Sequence, residues 1–385
     1  MDKTDLYNER LERMLITSDH KEPDRVPVFT IIADWSISYY GTTYRACIDN
    51  PEWYVTDVST KIYEDLNCDI AMSAGLLNND KIWQMLGDGP RFISQDGISV
   101  QHKEGLMMEP EDYDKLISDP WDFFITDFLP RRYPTISIEK VAETVKYLLD
   151  ESKRVHWIGE YFKENLGIPV LAASDGGYAS PPFDFLFDSL RGFKGTIKDI
   201  RRIPDKFFAA IEVLYPILEP GLALPESGEK VAPFPLDMTM LHAPTFLSQA
   251  QFNKFFAPSY DKMLKKVYNS GRKFFMLLEG NWEQHYDWLA SMPKNFLIAM
   301  AEKDNVFEMK KRLGDTITIV GGMPVRMLKY ESKQKCLDYA KRLIDELAPG
   351  GGYMFGTDMV LESPGDVNPD NYISVFNFAY EYGKY

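Results

Sequence analysis

The segment KFFMLLEG, residues 273–280, contains an apolar run that ends on a carboxylate. Phe274 to Leu278 lead directly into Glu279 and Gly280. A short and continuous apolar run is typical of a strand that is buried on both faces of a parallel sheet. We therefore predict a buried strand here, and we treat the carboxylate that follows it as a candidate functional group.

Runs of the same character recur along the chain and alternate with segments of helical periodicity. The predicted strands are 25–32, 68–75, 168–176, 231–240, 273–280, 295–302, 316–323 and 352–359. The predicted helices are 51–66, 138–165, 205–218, 248–270, 282–291, 304–313 and 331–347. Alternating strands and helices form βα units, and a chain with this many units predicts an α/β fold of the (β/α)₈ TIM-barrel type. We predict a single domain over residues 1–385.

One segment, 76–137, interrupts this alternation. It contains GDGPRFISQDGISVQHKEG (87–105), in which two short alternating runs flank Asp96-Gly97. Asp-Gly between such runs is a strong signal for a tight turn. We predict a β-hairpin insertion after the second strand.

Composition and charge restrict the function. The chain has 385 residues, a net charge of −15 and no basic run, which makes nucleic acid a poor partner. No apolar stretch approaches the roughly 18 residues of a membrane span, and the N-terminus lacks the apolar core of a signal peptide. Its three cysteines have no CxxC spacing. These features predict a cytoplasmic protein that does not enter a membrane.

The predicted strands end on acidic residues. In a parallel barrel the carboxyl ends of all strands meet at one face, where active sites lie. Carboxylates gathered there would raise one another's pKa unless they shared a proton or a cation. Glu279 could therefore be a metal ligand, a proton donor or only a helix cap. The acids at the predicted strand ends are Asp34, Asp175, Asp237, Glu279, Glu302 and Asp358.

The chain resembles the uroporphyrinogen decarboxylase superfamily over nearly its whole length. The similar segments are EPDRVPVF (22–29), LLEGNWEQH (277–285), RLGDTITIVGGMPVRML (312–328) and the C-terminal block from 350 to 385. The resemblance implies a (β/α)₈ barrel. It also implies one of two chemistries, which are decarboxylation of a tetrapyrrole and methyl transfer to or from corrinoid proteins.

Two branches of the superfamily fit this sequence poorly. The thiol methyltransferases bind zinc through H-x-C-G and a later cysteine, which fall on Leu277–Gly280 and Asp358 here, so Glu279 replaces the first cysteine. The decarboxylases carry an arginine-rich loop after the first strand, whereas this chain has IIADWSISYYG (31–41). The resemblance therefore favours the methyltransferases that cleave aryl methyl ethers.

An aromatic pocket would suit a methoxylated aromatic substrate. We predict substrate binding by Asp34, Trp35, Tyr178 and Trp282, because the two tryptophans directly follow predicted strand ends. Further pocket candidates are Tyr39, Tyr40, Phe183 and Phe185.

The resemblance implies transfer of a methyl group to the Co(I) corrinoid of a separate carrier protein, since the chain lacks the corrinoid signature D-x-H-x-x-G. Departure of the ether oxygen requires a Lewis acid or a proton. The first hypothesis places zinc on Glu279 and Asp358, completed by Glu302 or His242. The second has no metal and uses Glu279, Asp237 or His242 as the proton donor.

Other interpretations stay open at this point. The first alternative is a decarboxylase or another lyase acting on a small acid, and the second is a barrel that only binds a ligand. Expected partners are a small methyl donor, the corrinoid carrier and, as an option, a second copy of the chain in a homodimer.

Overall fold

The computed structural model describes residues 2–77, 81–87, 89, 91–95, 97, 100–102 and 108–385. These residues form a mixed α/β fold. The strands are β1 (Phe29–Thr30), β2 (Ile70–Ala71), β3 (Arg91–Ile93), β4 (Val100–His102), β5 (Asp237–Leu241), β6 (Phe274–Leu278), β7 (Leu297–Ala301), β8 (Thr318–Met323) and β9 (Tyr353–Thr357).

The five strands β5 to β9 form a parallel sheet in sequence order. The register pairs Leu278 of β6 with Ala301 of β7, and Met323 of β8 with Thr357 of β9. Each strand is followed by helix before the next begins, which is the connection that parallel pairing requires. The prediction of an α/β fold with buried parallel strands is confirmed.

The two short strands β1 and β2 pair in parallel with each other. Parallel bridges join Val28 to Phe355 of β9 and Ala71 of β2 to Val170. A further parallel bridge joins Tyr178 to Met238 of β5. The regular sheet itself covers β5 to β9, and closure into a barrel of eight strands stays a prediction.

Two predicted strands differ from the structure. The segment 168–176 contains a single bridged residue, Val170, and continues as the 3₁₀ turn Leu171–Ala173, because its small residues lack the β-branched character of a strand. The run 231–240 becomes regular only at Asp237. Pro233 and Pro235 have no backbone N–H to donate, so they keep the first half of this run out of the ladder.

The predicted hairpin falls partly on the described residues. β3 and β4 pair antiparallel, with Arg91 opposite His102. Asp96 of the predicted Asp-Gly turn lies outside the described residues.

Helices follow the predicted periodicity closely. Residues 51–65 and 249–270 are continuous helical segments with a π-helical stretch inside each. The α-helices are Lys3–Ser18, Trp35–Tyr40, Tyr44–Asp49, Pro51–Trp53, Thr60–Asp65, Lys81–Leu86, Tyr113–Ser118, Pro120–Asp122, Leu129–Arg132, Ile138–Leu166, Pro182–Asp184, Gly192–Arg202, Pro204–Leu218, Gln249–Gln251, Ala257–Ser270, Tyr286–Ala290, Val306–Leu313, Val325–Tyr330, Lys333–Leu347 and Pro369–Tyr382. The π-helical segments are Tyr54–Ser59, Phe123–Phe128, Phe185–Arg191 and Phe252–Phe256. Among the helices of the described residues, none is both long enough and apolar enough to cross a membrane.

Side chains of β6 are buried on both faces of the sheet. Phe275 and Leu277 pack in an inner cluster, whereas Phe274, Met276 and Leu278 pack in the outer cluster that contains helical residues. This alternation follows from the two-residue repeat of a strand. The apolar run therefore holds β6 in place and positions Glu279, the residue after Leu278, at the carboxyl end of the strand.

A buried ionic network attaches the first helix to β1 and β2. The Arg13 guanidinium lies 2.6 Å from Asp24 and 2.6 Å from Asp69. Asp69 is fully buried, and its second oxygen accepts the Val28 backbone N–H at 2.8 Å. The network fixes the start of the fold at the end of the sheet opposite the candidate site.

Candidate active site

A cavity of about 460 Å³ lies at the carboxyl ends of β6, β7 and β9. Glu279 follows Leu278 directly and Glu302 follows Ala301, so the pairing of these two strands brings both carboxylates to the cavity. Asp358 follows β9 in the same way. Glu362, which the sequence analysis did not single out, is a fourth acidic lining residue.

The rest of the cavity wall is uncharged and mainly apolar. It contains four methionines, which are flexible and polarisable. The uncharged lining residues are Ala33, Met72, Ser73, Leu76, Leu77, Ala172, Met240, Leu277, Met300, Met359 and Val360.

Glu279 does not cap the helical segment that follows it. The Trp282 backbone N–H donates instead to Asp304 at 3.0 Å, a cap that the sequence analysis missed. Gly280 adopts a φ of 80°, which turns the chain directly after Glu279. Burial raises the pKa of Glu279, His242 opposes the rise and Glu302 adds to it. The interpretation of Glu279 as a helix cap is therefore wrong. Its carboxyl group instead lines the cavity, where burial raises its pKa.

The other two predicted metal ligands are partly engaged by the backbone. Glu302 accepts the Gly280 N–H, and Asp358 accepts the Val325 N–H at 2.9 Å. Burial raises the pKa of Asp358 to about 6. Within the part of the chain that the structure describes, no three His, Cys, Asp or Glu side chains form a group that could hold a metal ion. Zinc binding by Glu279, Asp358 and Glu302 stays a prediction.

His242 follows β5 and lies beside Glu279. Its Nε2 is 2.9 Å from Asp188, its Nδ1 is 3.9 Å from Glu279, and the Phe187 ring packs against it with centroids 5.4 Å apart. The hydrogen bond to Asp188 raises the pKa of His242 to about 9, against an opposing effect of burial. His242 is thus a cation at neutral pH that sits between two carboxylates.

This pKa predicts how stability depends on pH. His242 ionises near pH 6.5 in the unfolded chain and near pH 9 in the folded one. Its contribution to stability is therefore fully present below pH 6.5 and is lost as the pH rises through about 9. Urea unfolding of the native chain and of His242→Gln between pH 6 and 10 measures this. We expect the difference in unfolding free energy to shrink as the pH rises, and a difference that stays constant would contradict the charged pair.

Asp184 is a buried carboxylic acid near this histidine. Among the described residues, neither of its side-chain oxygens has a hydrogen-bond partner. Burial raises its pKa well above the usual value, and Asp188 adds to the rise. Neither Asp184 nor Asp188 was identified from the sequence. Their spacing of four residues within the aromatic segment FDFLFDSLR (183–191) is the sequence feature that could have identified them.

The structure corrects the position of Asp237. The sequence analysis placed it at the carboxyl end of a strand, but it is the first residue of β5 and lies at the opposite end from His242. There it accepts the Gly177 N–H at 2.6 Å and pairs with Arg272 at 3.1 Å. Asp237 is therefore a structural residue at the start of β5, which corrects its predicted catalytic role.

Asp175 is also absent from the cavity lining. It is exposed, with one carboxylate oxygen 3.7 Å from His156. The six predicted acids therefore do not converge: three of them, Glu279, Glu302 and Asp358, line the cavity.

The predicted aromatic wall is not assembled either. Trp35 and Trp282 are fully buried in the hydrophobic core, and the Trp282 indole N–H donates to the Glu279 carbonyl at 3.1 Å. Both tryptophans are core residues, which corrects the prediction that they bind substrate in the pocket. Asp34 is the N-cap residue of the helix Trp35–Tyr40, next to the lining residue Ala33. Tyr178 is exposed, and its backbone bridges to Met238.

Comparisons with known proteins agree with the fold. No protein-family model and no curated protein sequence matches this chain. Among solved structures the chain is similar to a methyltransferase from Methanosarcina mazei, with 15% sequence identity and a TM-score of 0.60. The alignment covers 96% of this chain and 98% of that one. At this identity the likeness concerns the fold alone, and membership of the uroporphyrinogen decarboxylase superfamily stays a prediction.

Proposed function

We propose that this chain is a methyltransferase that moves a methyl group from a small methylated substrate to the Co(I) corrinoid of a separate carrier protein. The observation that carries the proposal is the cavity at the carboxyl ends of β6, β7 and β9, with Glu279 on its wall. Ligand sites of parallel α/β folds lie at this end of the strands. The likeness in fold to the Methanosarcina mazei methyltransferase supports the class of reaction.

The proposal includes a closed (β/α)₈ barrel of the uroporphyrinogen decarboxylase type. The bridges from Val28 to Phe355, from Ala71 to Val170 and from Tyr178 to Met238 are parallel. They link the short strands β1 and β2, and the segment around residues 170–178, to both edges of the five-stranded sheet. These are the neighbours that closure requires.

The resemblance suggests a methoxylated aromatic substrate, whose phenolate is a poor leaving group. When bound to its carrier, Co(I) corrinoid would supply the nucleophile. The role of this chain would be to hold the donor and to give a proton to the departing oxygen. Glu279 suits this role because burial raises its pKa above the ordinary value of a glutamic acid, which is the direction that a proton donor requires. His242, held by Asp188, would lie beside it as a fixed positive charge.

A zinc ion on Glu279 and Asp358, with Glu302 or His242 as a third ligand, is the alternative way to assist the leaving group. Because these groups do not converge as a ligand set here, we expect methyl transfer to survive treatment with a chelator. The measurement is metal content by mass spectrometry together with activity before and after dialysis against EDTA. Loss of activity that returns only with zinc would favour the zinc form of the proposal.

The decarboxylase alternative needs a cationic group to hold the carboxylate of its substrate. Among the residues that line the cavity in the described chain, none is Lys or Arg. Carboxylates on the wall would repel an acidic substrate. The cavity wall therefore favours the methyl-transfer proposal over the decarboxylase alternative.

The proposed function is tested by mixing the protein with a reduced corrinoid carrier and candidate methyl donors. The expected result is the absorbance of methylcobalamin, which appears only when donor, carrier and protein are all present. Absence of methyl transfer from every donor, together with release of CO₂ from a small acid, would overturn the proposal in favour of a decarboxylase.

A further inference from the structure

The charge of the cavity wall indicates which charge a ligand bound there would carry. Its four ionisable lining residues are all carboxylic acids, namely Glu279, Glu302, Asp358 and Glu362. Two cations lie at the edge: His242 is held mainly by Asp188, and the Lys303 ammonium, 3.8 Å from Glu302, is largely exposed to water. The carboxylates outnumber these cations, so a positively charged ligand would relieve their mutual repulsion.

The spacing of the carboxylates distinguishes between kinds of cation. A metal ion needs several donors that converge within about 2.0–2.6 Å of one point. The described residues contain no group of three side chains that meets this need. Carboxylates that line a cavity of about 460 Å³ without forming such a group suit a larger organic cation, whose charge is distributed over several atoms.

The uncharged part of the wall suits methyl groups. Four methionine side chains, Met72, Met240, Met300 and Met359, share this wall with Leu, Val and Ala residues. Thioethers are polarisable and adapt to apolar groups. No aromatic ring is among the lining residues of the described chain, so stacking against a methoxylated aromatic ring has no support on this wall.

From these observations we propose that the substrate is a methylated organic cation, an ammonium or a sulfonium, held with its charge among the carboxylates and its methyl groups against the methionines. This inference rests on the proposed methyl transfer and names its substrate class.

The chemistry agrees with such a donor. The methyl carbon forms a bond to the Co(I) nucleophile of the carrier as its bond to nitrogen or sulfur breaks. The electron pair of that bond stays on the nitrogen or sulfur atom, which leaves as a neutral amine or thioether. No proton is needed, in contrast to an ether, so the carboxylates act by binding the positive charge. Their ionised form is the one that a cation stabilises.

Calorimetric titration of the full chain tests the inference without any methyl transfer. The probes are choline, its neutral isostere 3,3-dimethylbutan-1-ol, and trimethylsulfonium. We expect at least one of the two cations to bind at least about tenfold more tightly than the neutral alcohol, which corresponds to roughly 1.4 kcal/mol. The relative affinities of choline and trimethylsulfonium distinguish an ammonium from a sulfonium site. If neither cation binds, or if neither binds more tightly than the neutral alcohol, the inference is overturned.

A pair of variants isolates the charge of the cavity. Glu362→Gln removes one lining carboxylate from an exposed segment, whereas Glu226→Gln removes an exposed carboxylate elsewhere. We expect Glu362→Gln to weaken binding of the preferred cation several-fold and to leave the neutral alcohol unaffected, and Glu226→Gln to change neither. An equal effect of the two variants on cation binding would contradict a local charge interaction.

The inference and the proposed function fail separately. Cation binding without methyl transfer to any carrier would keep the cationic ligand site but overturn the function and, with it, the role of the cation as methyl donor. Methyl transfer from neutral ethers, without cation binding, would keep the function and overturn the inference.

Discussion

With a methyl ether as donor, the Glu279→Gln variant is expected to lose methyl transfer by roughly 10²–10⁴-fold, the range over which a positioned acid contributes to catalysis. Glu279 is the lining carboxylate that directly follows β6, and it lies beside His242. Glutamine keeps the size of the side chain but can neither give up an acidic proton nor balance a positive charge. The measurement is the rate of methylcobalamin formation with a reduced carrier, analysed as kcat and KM.

The division between kcat and KM identifies the role of Glu279. With a neutral ether as donor, loss of the proton donor lowers kcat and leaves KM nearly unchanged. With a cationic donor, loss of the negative charge raises KM. Loss of bound zinc together with activity would identify Glu279 as a metal ligand. Full activity with both donors would show that Glu279 has no role in the reaction. The control is Glu226→Gln, which neutralises an exposed carboxylate outside the cavity and should behave like the native protein.

The Arg13→Met variant is expected to destabilise the fold by about 3–5 kcal/mol, the cost of breaking a buried ion pair from one side. Arg13 is buried, and Asp69, to which it donates at 2.6 Å, has no exposed side-chain area. Methionine fills much of the same space but leaves the Asp69 carboxylate without its cation. Urea denaturation followed by far-UV circular dichroism gives the change in unfolding free energy.

Two further variants define the origin of this loss. Replacing Asp69 by Asn in the Arg13→Met background removes the unpaired charge while keeping an acceptor for the Val28 N–H, so part of the stability should return. Lys153→Met breaks an exposed pair with Asp150 and should cost about 1 kcal/mol or less. A loss as small for Arg13→Met as for Lys153→Met would show that the buried network contributes little.

The predictions from sequence succeeded where neighbours along the chain decide the structure. The apolar runs that contain β6, β7, β8 and β9 were identified, because strands buried on both faces need continuous apolar sequence. The prediction failed where that local pattern was weak or interrupted. Pro233 and Pro235 delayed the start of β5, and this change moved Asp237 to the other end of the sheet. In the segment 168–176, small residues gave a single bridge and a 3₁₀ turn in place of a strand.

The sequence by itself determined that Glu279, Glu302 and Asp358 stand directly after buried strands, because strand period and burial are properties of short segments. Only the tertiary structure decided which polar groups meet there. Asp188 reaches His242 across more than fifty residues of chain, Glu362 joins the cavity, and Trp35 and Trp282 enter the core. Contacts between distant segments depend on how helices pack against the sheet, and a tryptophan after a strand end can turn toward the cavity or toward the helices. Packing of the whole fold makes that choice, since it is the layer between sheet and helices that buries these rings.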